Sequence, residues 1–219
     1  MQKQIHSHNN FFYFTASLVL LLLFGAFVSS TPRGEHHIML TVFILATELV
    51  AYFSLNLNKK WRIFVGLMMV SLTVSSALHH YSDWTTDPLI GLTASLIFYC
   101  GMAYAAARQV LFTGDTELNT VVGTVAVYLL LGIIWAVLYL ITLEFWPAGI
   151  NGIEYQDWRD NFGTTTYFSY VTMTTLGYGD MSPAIPVTRA LVFLQAITGT
   201  FYMAVVVASM VGRVSRASK

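Results

Sequence analysis

One segment of this chain enters an apolar setting and is too short to leave it on the far side. Residues 163–175 form an aromatic and threonine-rich run, well under the ~20 apolar residues that a helix needs to cross a bilayer. The runs on either side are long enough, Val121 to Leu143 and Ile185 to Gly212. The short run ends in Thr174-Thr175-Leu176-Gly177-Tyr178-Gly179-Asp180. Alternate glycines open backbone angles that other residues avoid, so successive carbonyls can point to one side. A ring of such strands would line a narrow tube with backbone oxygens, the chemistry that replaces the water of a dehydrated cation. The Thr175 hydroxyl adds one more oxygen at the inner end.

Composition sets the wider frame. Of 219 residues, 56% are hydrophobic and 10% charged, and the mean hydropathy is +0.62. These values belong to a polytopic membrane protein that sits in a lipid bilayer. The formal net charge is zero, so nothing points to nucleic acid as a partner. Cys100 is the one cysteine, which leaves no disulfide framework within the chain.

The six residues Thr175-Leu176-Gly177-Tyr178-Gly179-Asp180 resemble the selectivity filter of the tetrameric potassium channels, most often T-V-G-Y-G-D. They stand in that family's setting, with a short re-entrant helix before them and a span after. The resemblance implies an all-α membrane protein of six transmembrane helices with a re-entrant pore helix and filter. It implies a passive, K⁺-selective channel and no enzyme, with K⁺ at Thr175, Leu176, Gly177 and Tyr178, Gly179 completing the filter, and no other cofactor. The chain has one such stretch and no evident internal repeat, so a four-fold pore requires a homotetramer. Leu176 departs from the usual Val; its backbone oxygen faces the ion in the family, so selectivity is expected to survive.

The same resemblance assigns supporting positions. Aromatic residues of the family's pore helix hydrogen-bond to the filter Tyr and Asp; the matching positions are Tyr167, which can donate, and Phe168, which cannot. Asp180 and Thr174 flank the filter. Val171 stands where some members carry a glutamate, so Asp180 lacks a buried acid partner and filter inactivation is expected to differ from theirs. Gly199 matches a hinge glycine of the last helix; the alternative is a glycine that lets two helices touch. A helix-interior glycine costs ~1 kcal/mol relative to Ala. Ala204, with Ala208 and Ser209, is small and lies where inner helices would converge on a gate.

The pattern divides the chain into a four-helix, sensor-like bundle (1–112) and a pore domain (113–219). The pore domain comprises an outer helix 121–143, a pore helix 163–175, a filter 175–180 and an inner helix 185–212. The bundle's spans are Phe11 to Val28, Ile38 to Leu57, a third from Trp61 or Arg62 to Leu78, and Leu89 to Phe112. Ser29-Ser30-Thr31-Pro32 gives the first span a rival as a signal peptide; it is expected to be retained. With both termini cytoplasmic, Lys3, Lys59, Lys60, Arg62, Arg108, Arg213, Arg216 and Lys219 lie inside, and Arg33, Arg159 and Arg189 outside. That asymmetry fits the positive-inside rule for a multi-pass protein of the cell (plasma or inner) membrane.

Voltage sensing needs several basic residues on the fourth span, each worth ~2.3 kcal/mol per 100 mV when it crosses the field. Residues 89–112 carry one, Arg108, near the cytoplasmic end. The bundle therefore resembles that of small bacterial six-helix members that do not sense voltage. Glu48 lies mid-span, where it needs a partner; it is expected to bond a Ser or Thr of the bundle, the alternatives being a pair with Arg108 or a proton-sensitive switch. His36-His37 and His79-His80 fall at outer span ends near Glu35 and Asp83, where zinc or proton binding is open to them; interfacial histidines without a special role are the simpler expectation.

Other functions fit less well. Potassium-uptake transporters carry four degenerate loops in one chain. A haem or metal enzyme wants histidines deep on facing helices. A non-selective cation channel is the closest alternative, and the intact Gly177-Tyr178-Gly179 speaks against it.

Overall fold

The computed structural model of the chain describes residues 10–28, 36–55, 63–67, 70, 88–112 and 118–217. The main helices are α1 (Asn10–Val28), α2 (His36–Ser54), α3 (Pro88–Phe112), α4 (Leu118–Phe145), α5 (Trp158–Met173) and α6 (Pro186–Ala217). Two short strands, β1 (Ile150–Asn151) and β2 (Ser182–Pro183), pair antiparallel with Ile150 opposite Pro183 and Asn151 opposite Ser182. An all-helical expectation omits them.

Among the described residues four helices carry a stretch long and apolar enough to cross a membrane: Asn10–Phe27, Pro88–Val110, Asn119–Phe145 and Pro186–Val206. In α2 the apolar stretch Met39–Ser54 is shorter. The expected third span lies largely outside the described residues; residues 63–67 of it are helical.

Several helix boundaries differ from the sequence expectation; α4 runs Leu118–Phe145 where 121–143 is expected, and α2 ends at Ser54, short of Leu57. The helix α5 starts at Trp158, ahead of residue 163, because Asp157 caps it. Asp157 has non-helical angles (φ −51°, ψ 141°), and its side chain accepts from the Arg159 amide at 2.9 Å. This satisfies one of the donors that a helix start leaves open. The helix α6 opens on Pro186, a position where the missing N–H costs nothing, and runs unbroken through Gly199 to Ala217.

The helix α4 is the axis of the chain, and α3, α1 and α5 all pack on it. Phe14, Leu18 and Leu21 recur at helical spacing along α1 and are almost fully buried. Ile133, Tyr139 and Leu140 are buried on α4. Phe24 of α1 stacks on Phe43 of α2, with ring centroids 3.8 Å apart. Phe11 N donates to Asn119 Oδ1 at 3.1 Å and Thr15 Oγ1 to the Val122 carbonyl at 3.2 Å. Gly25 and Gly123 leave room for the Phe162 ring and for Val110 and Phe11. Small residues of this kind let helices approach where apolar burial gives little drive.

Among the described residues, neither the Ser or Thr bond expected for Glu48 nor the alternative Arg108 pair is seen. Glu48 is fully buried on α2, and neither carboxylate oxygen has a hydrogen-bond partner among the described residues. Arg108 lies on an exposed face of α3 instead. A long cationic side chain near a span end reaches outward, away from the packed bundle.

Candidate functional site

The stretch Thr174–Asp180 is positioned by α5, which is itself fastened to α4. Ser169 Oγ donates to the Gly132 carbonyl and Tyr170 OH to the Leu129 carbonyl, both at 2.6 Å. The Tyr170 ring lies across Gly132, where any Cβ would collide with it. At the end of α5 the backbone turns back onto the last free carbonyls. The Val171 carbonyl accepts from the amides of Leu176 (3.0 Å) and Gly177 (3.4 Å), and that of Thr172 from Thr175 (3.0 Å). The Tyr170 carbonyl accepts from Thr174 N at 2.9 Å and Thr174 Oγ1 at 2.7 Å. The partial negative charge of the helix C-terminus therefore lies beside Thr174 and Thr175, where it favours a cation.

Beyond that turn the backbone alternates in hand. Thr175, Gly177 and Gly179 have φ of 58°, 56° and 86°, whereas Leu176 and Tyr178 stay on the negative side. Alternation of this kind turns successive carbonyls toward one side of the strand. The two glycines take a positive φ without penalty. Thr175 is the one described non-glycine residue to do so, a strain of roughly 1–3 kcal/mol that functional sites commonly hold. Leu176 and Tyr178 are 54% and 67% exposed on their own chain, and every residue from Thr174 to Asp180 is uncovered.

The Asp180 end is tied down twice. Tyr167 OH donates to Asp180 Oδ2 at 2.8 Å, and this bond is the main cause holding the Tyr167 phenol above its ordinary pKa. Phe168 cannot take part; it is buried against Tyr139, with centroids 4.9 Å apart. The second tie is the strap formed by β1 and β2. Ala184 N donates to the Gly149 carbonyl at 3.0 Å, and Asn151 Nδ2 to Ser182 Oγ at 3.1 Å. Gly152 (φ 84°) presses its α-carbon on the Asp180 carbonyl, where a side chain has no room. Nearby, Tyr155 OH donates to Glu144 Oε2 at 2.8 Å, which raises the phenol pKa.

The helix α6 meets α5 at two points. Gln195 Nε2 lies 2.7 Å from Ser169 Oγ and 2.9 Å from the Ser169 carbonyl, while Gln195 Oε1 accepts from Tyr139 OH at 2.5 Å. One turn further on, Gly199 is packed against Met173, whose carbonyl oxygen occupies the space a Cβ would need. Tyr202 OH donates to the Thr124 carbonyl at 2.6 Å. Ala204 is exposed, and so is a stripe at four-residue spacing: Phe193, Ile197, Phe201 and Val205.

The structure thus brings Tyr167, Val171, Thr174 and Asp180 together around the 175–179 backbone, but Val171 contributes its carbonyl rather than its side chain. Glu48 and Arg108 stand apart from it and from each other. His36 and His37 are the first residues of α2, while His79 and His80 lie outside the described residues. Among the described residues no group of three His, Cys, Asp or Glu side chains is placed to hold a metal. Sequence reasoning passed over Gln195, Ser169 and Tyr139. A lone glutamine within an apolar helix was the available signal, since a buried amide must find partners.

Residues 123–216, from the outer helix through α6, match the model of a family described as an ion channel. No curated protein and no solved structure matches the chain. The match makes this part of the chain similar to an ion-channel domain, and among the described residues four helices are long and apolar enough to cross a membrane, as a membrane protein requires.

Proposed function

We propose that four copies of this chain surround the 175–179 backbone and conduct K⁺ passively and selectively across the cell membrane. The observation that carries the reading is the alternating hand of Thr175, Gly177 and Gly179 within Thr-Leu-Gly-Tyr-Gly-Asp. Carbonyls turned to one side supply the oxygen cage that a dehydrated K⁺ requires. A single strand is only one wall of such a cage, and the uncovered faces of 174–180 and α6 are what symmetric copies would cover. The Tyr167–Asp180 bond supports the filter from behind in place of the family's fuller set of donors. The lone Arg108 gives no basis for opening by voltage. Both termini are assigned to the cytoplasm, with Asp180 at the outer mouth.

The test is single-channel recording from the purified protein in planar bilayers, K⁺ on one side and Na⁺ on the other, swept over voltage. Reversal near the K⁺ equilibrium potential is expected, with opening that depends weakly on voltage. Reversal near zero would replace this reading with a non-selective cation channel, its filter relaxed by Leu176 and the missing donor at Phe168. A steep voltage dependence worth several charges would overturn the assignment of the front bundle.

A further inference from the structure

We propose that Gln195 is a positioning residue for the filter: its carboxamide fixes the register of α5 against α6 and so sets ion selectivity. The proposal rests on the potassium-channel reading above.

Gln195 is fully buried within α6, where its amide has no water to turn to. Its Oε1 accepts from the Tyr139 hydroxyl and its Nε2 donates to Ser169 Oγ. The Ser169 hydroxyl in turn donates to the Gly132 carbonyl. The chain of bonds starts on α4 at Tyr139, passes through α6 and α5, and returns to α4 at Gly132. All three helices of the pore domain are closed into one loop. The amide has a single workable orientation, because a reversed one would set Oε1 against the Ser169 carbonyl, acceptor to acceptor.

Ser169 precedes Val171 by two residues, and the Val171 carbonyl holds the amides of Leu176 and Gly177. A shift of α5 along its axis moves that carbonyl and both amides with it. The second contact, Gly199 on Met173, lies four residues beyond the first on each helix, from Gln195 to Gly199 and from Ser169 to Met173. The glycine contact permits close approach but does not resist sliding. The amide supplies the directional bond that does.

The test compares wild type with Gln195→Leu, Gln195→Glu and Tyr139→Phe in the same K⁺/Na⁺ bilayer recordings. Glutamate keeps the acceptor for Tyr139 and loses the donor to Ser169. Loss of that buried bond is expected to lower the K⁺-over-Na⁺ permeability ratio about tenfold in both Gln195 variants. A smaller fall is expected in Tyr139→Phe, which leaves the Ser169 link. Tyr202→Phe, which removes another hydroxyl bond between α6 and α4, should leave the ratio unchanged, so a general loosening of the helices is told apart from loss of register. Ratios within about twofold of wild type in the Gln195 variants would overturn the proposal. Should neither Gln195 variant assemble, an unchanged ratio in Tyr139→Phe overturns it. A wild type that does not select K⁺ is seen before any variant is read, and it sinks the underlying function instead.

Discussion

The carbonyl oxygen of Met173 rests against the α-carbon of Gly199, so α6 touches the end of α5 at a point where no side chain fits. A hinge glycine and a contact glycine make different demands, and only the contact is sterically explicit here.

Gly199→Ala separates them. Alanine gains ~1 kcal/mol of helix propensity, whereas overpacking costs about 1–3 kcal/mol. The atom struck is a backbone carbonyl that cannot rotate aside. The variant is therefore expected to unfold at lower temperature in detergent. A rise in melting temperature would show that the contact yields and that Gly199 serves flexibility alone.

Tyr167→Phe removes the bond to Asp180 at the exposed mouth. Expected is a faster decay of current during sustained opening, with little change in overall stability, since a typical hydrogen bond is worth only about 0.5–1.5 kcal/mol net. Val171→Glu, which adds an acid on the same helix, should change the decay as well. Decay traces that superimpose on wild type for both variants would remove these side chains from any account of filter stability.

Gly152→Ala tests the strap. The position combines a left-handed φ, costing a non-glycine residue about 1–2 kcal/mol, with a collision at the Asp180 carbonyl. Lower thermal stability is expected, together with weaker protection by added K⁺. If stability fell while K⁺ protection stayed intact, the strap would be structural and independent of the filter.

Glu48→Gln probes the buried carboxylate. An ionised, unpaired carboxylate is costly to bury, and neither oxygen of Glu48 has a partner among the described residues. The neutral amide of similar volume is expected to match or exceed wild type in melting temperature. Marked destabilisation would mean that the acid has a partner that its oxygens do not reveal.

What could be read in the sequence followed from local rules. Thr175 to Asp180 announced a backbone device because glycines at alternate positions free every second residue to reverse its hand, and positive φ values fall at those glycines and at Thr175. The start of α5 was also within reach. Asp157 and Asp160 bracket its first turn as a cap does, but within a polar stretch rich in charges two acids do not by themselves mark where a helix begins. Gln195, Ser169 and Tyr139 share no local pattern. They lie 26 to 56 residues apart in pairs, and only the packing of three helices brings them together. Glu48 and Arg108 show the opposite case: complementary charges leave a pair open as an alternative, but Glu48 is buried on α2 while Arg108 is exposed on α3.

The contacts of α1 also set an order of events during synthesis. Besides α2, its partners include Asn119 and Val122 on α4 and Phe162 on α5, over 100 residues downstream. At about 5–20 residues per second, the ribosome takes roughly 7–30 s to carry the chain from Gly25 to Phe162. For most of that interval α1 has only α2 among the described helices to pack on, through Phe24 on Phe43, while the face that meets α4 and α5 waits uncovered, and the later helices must arrive before the front half can finish folding.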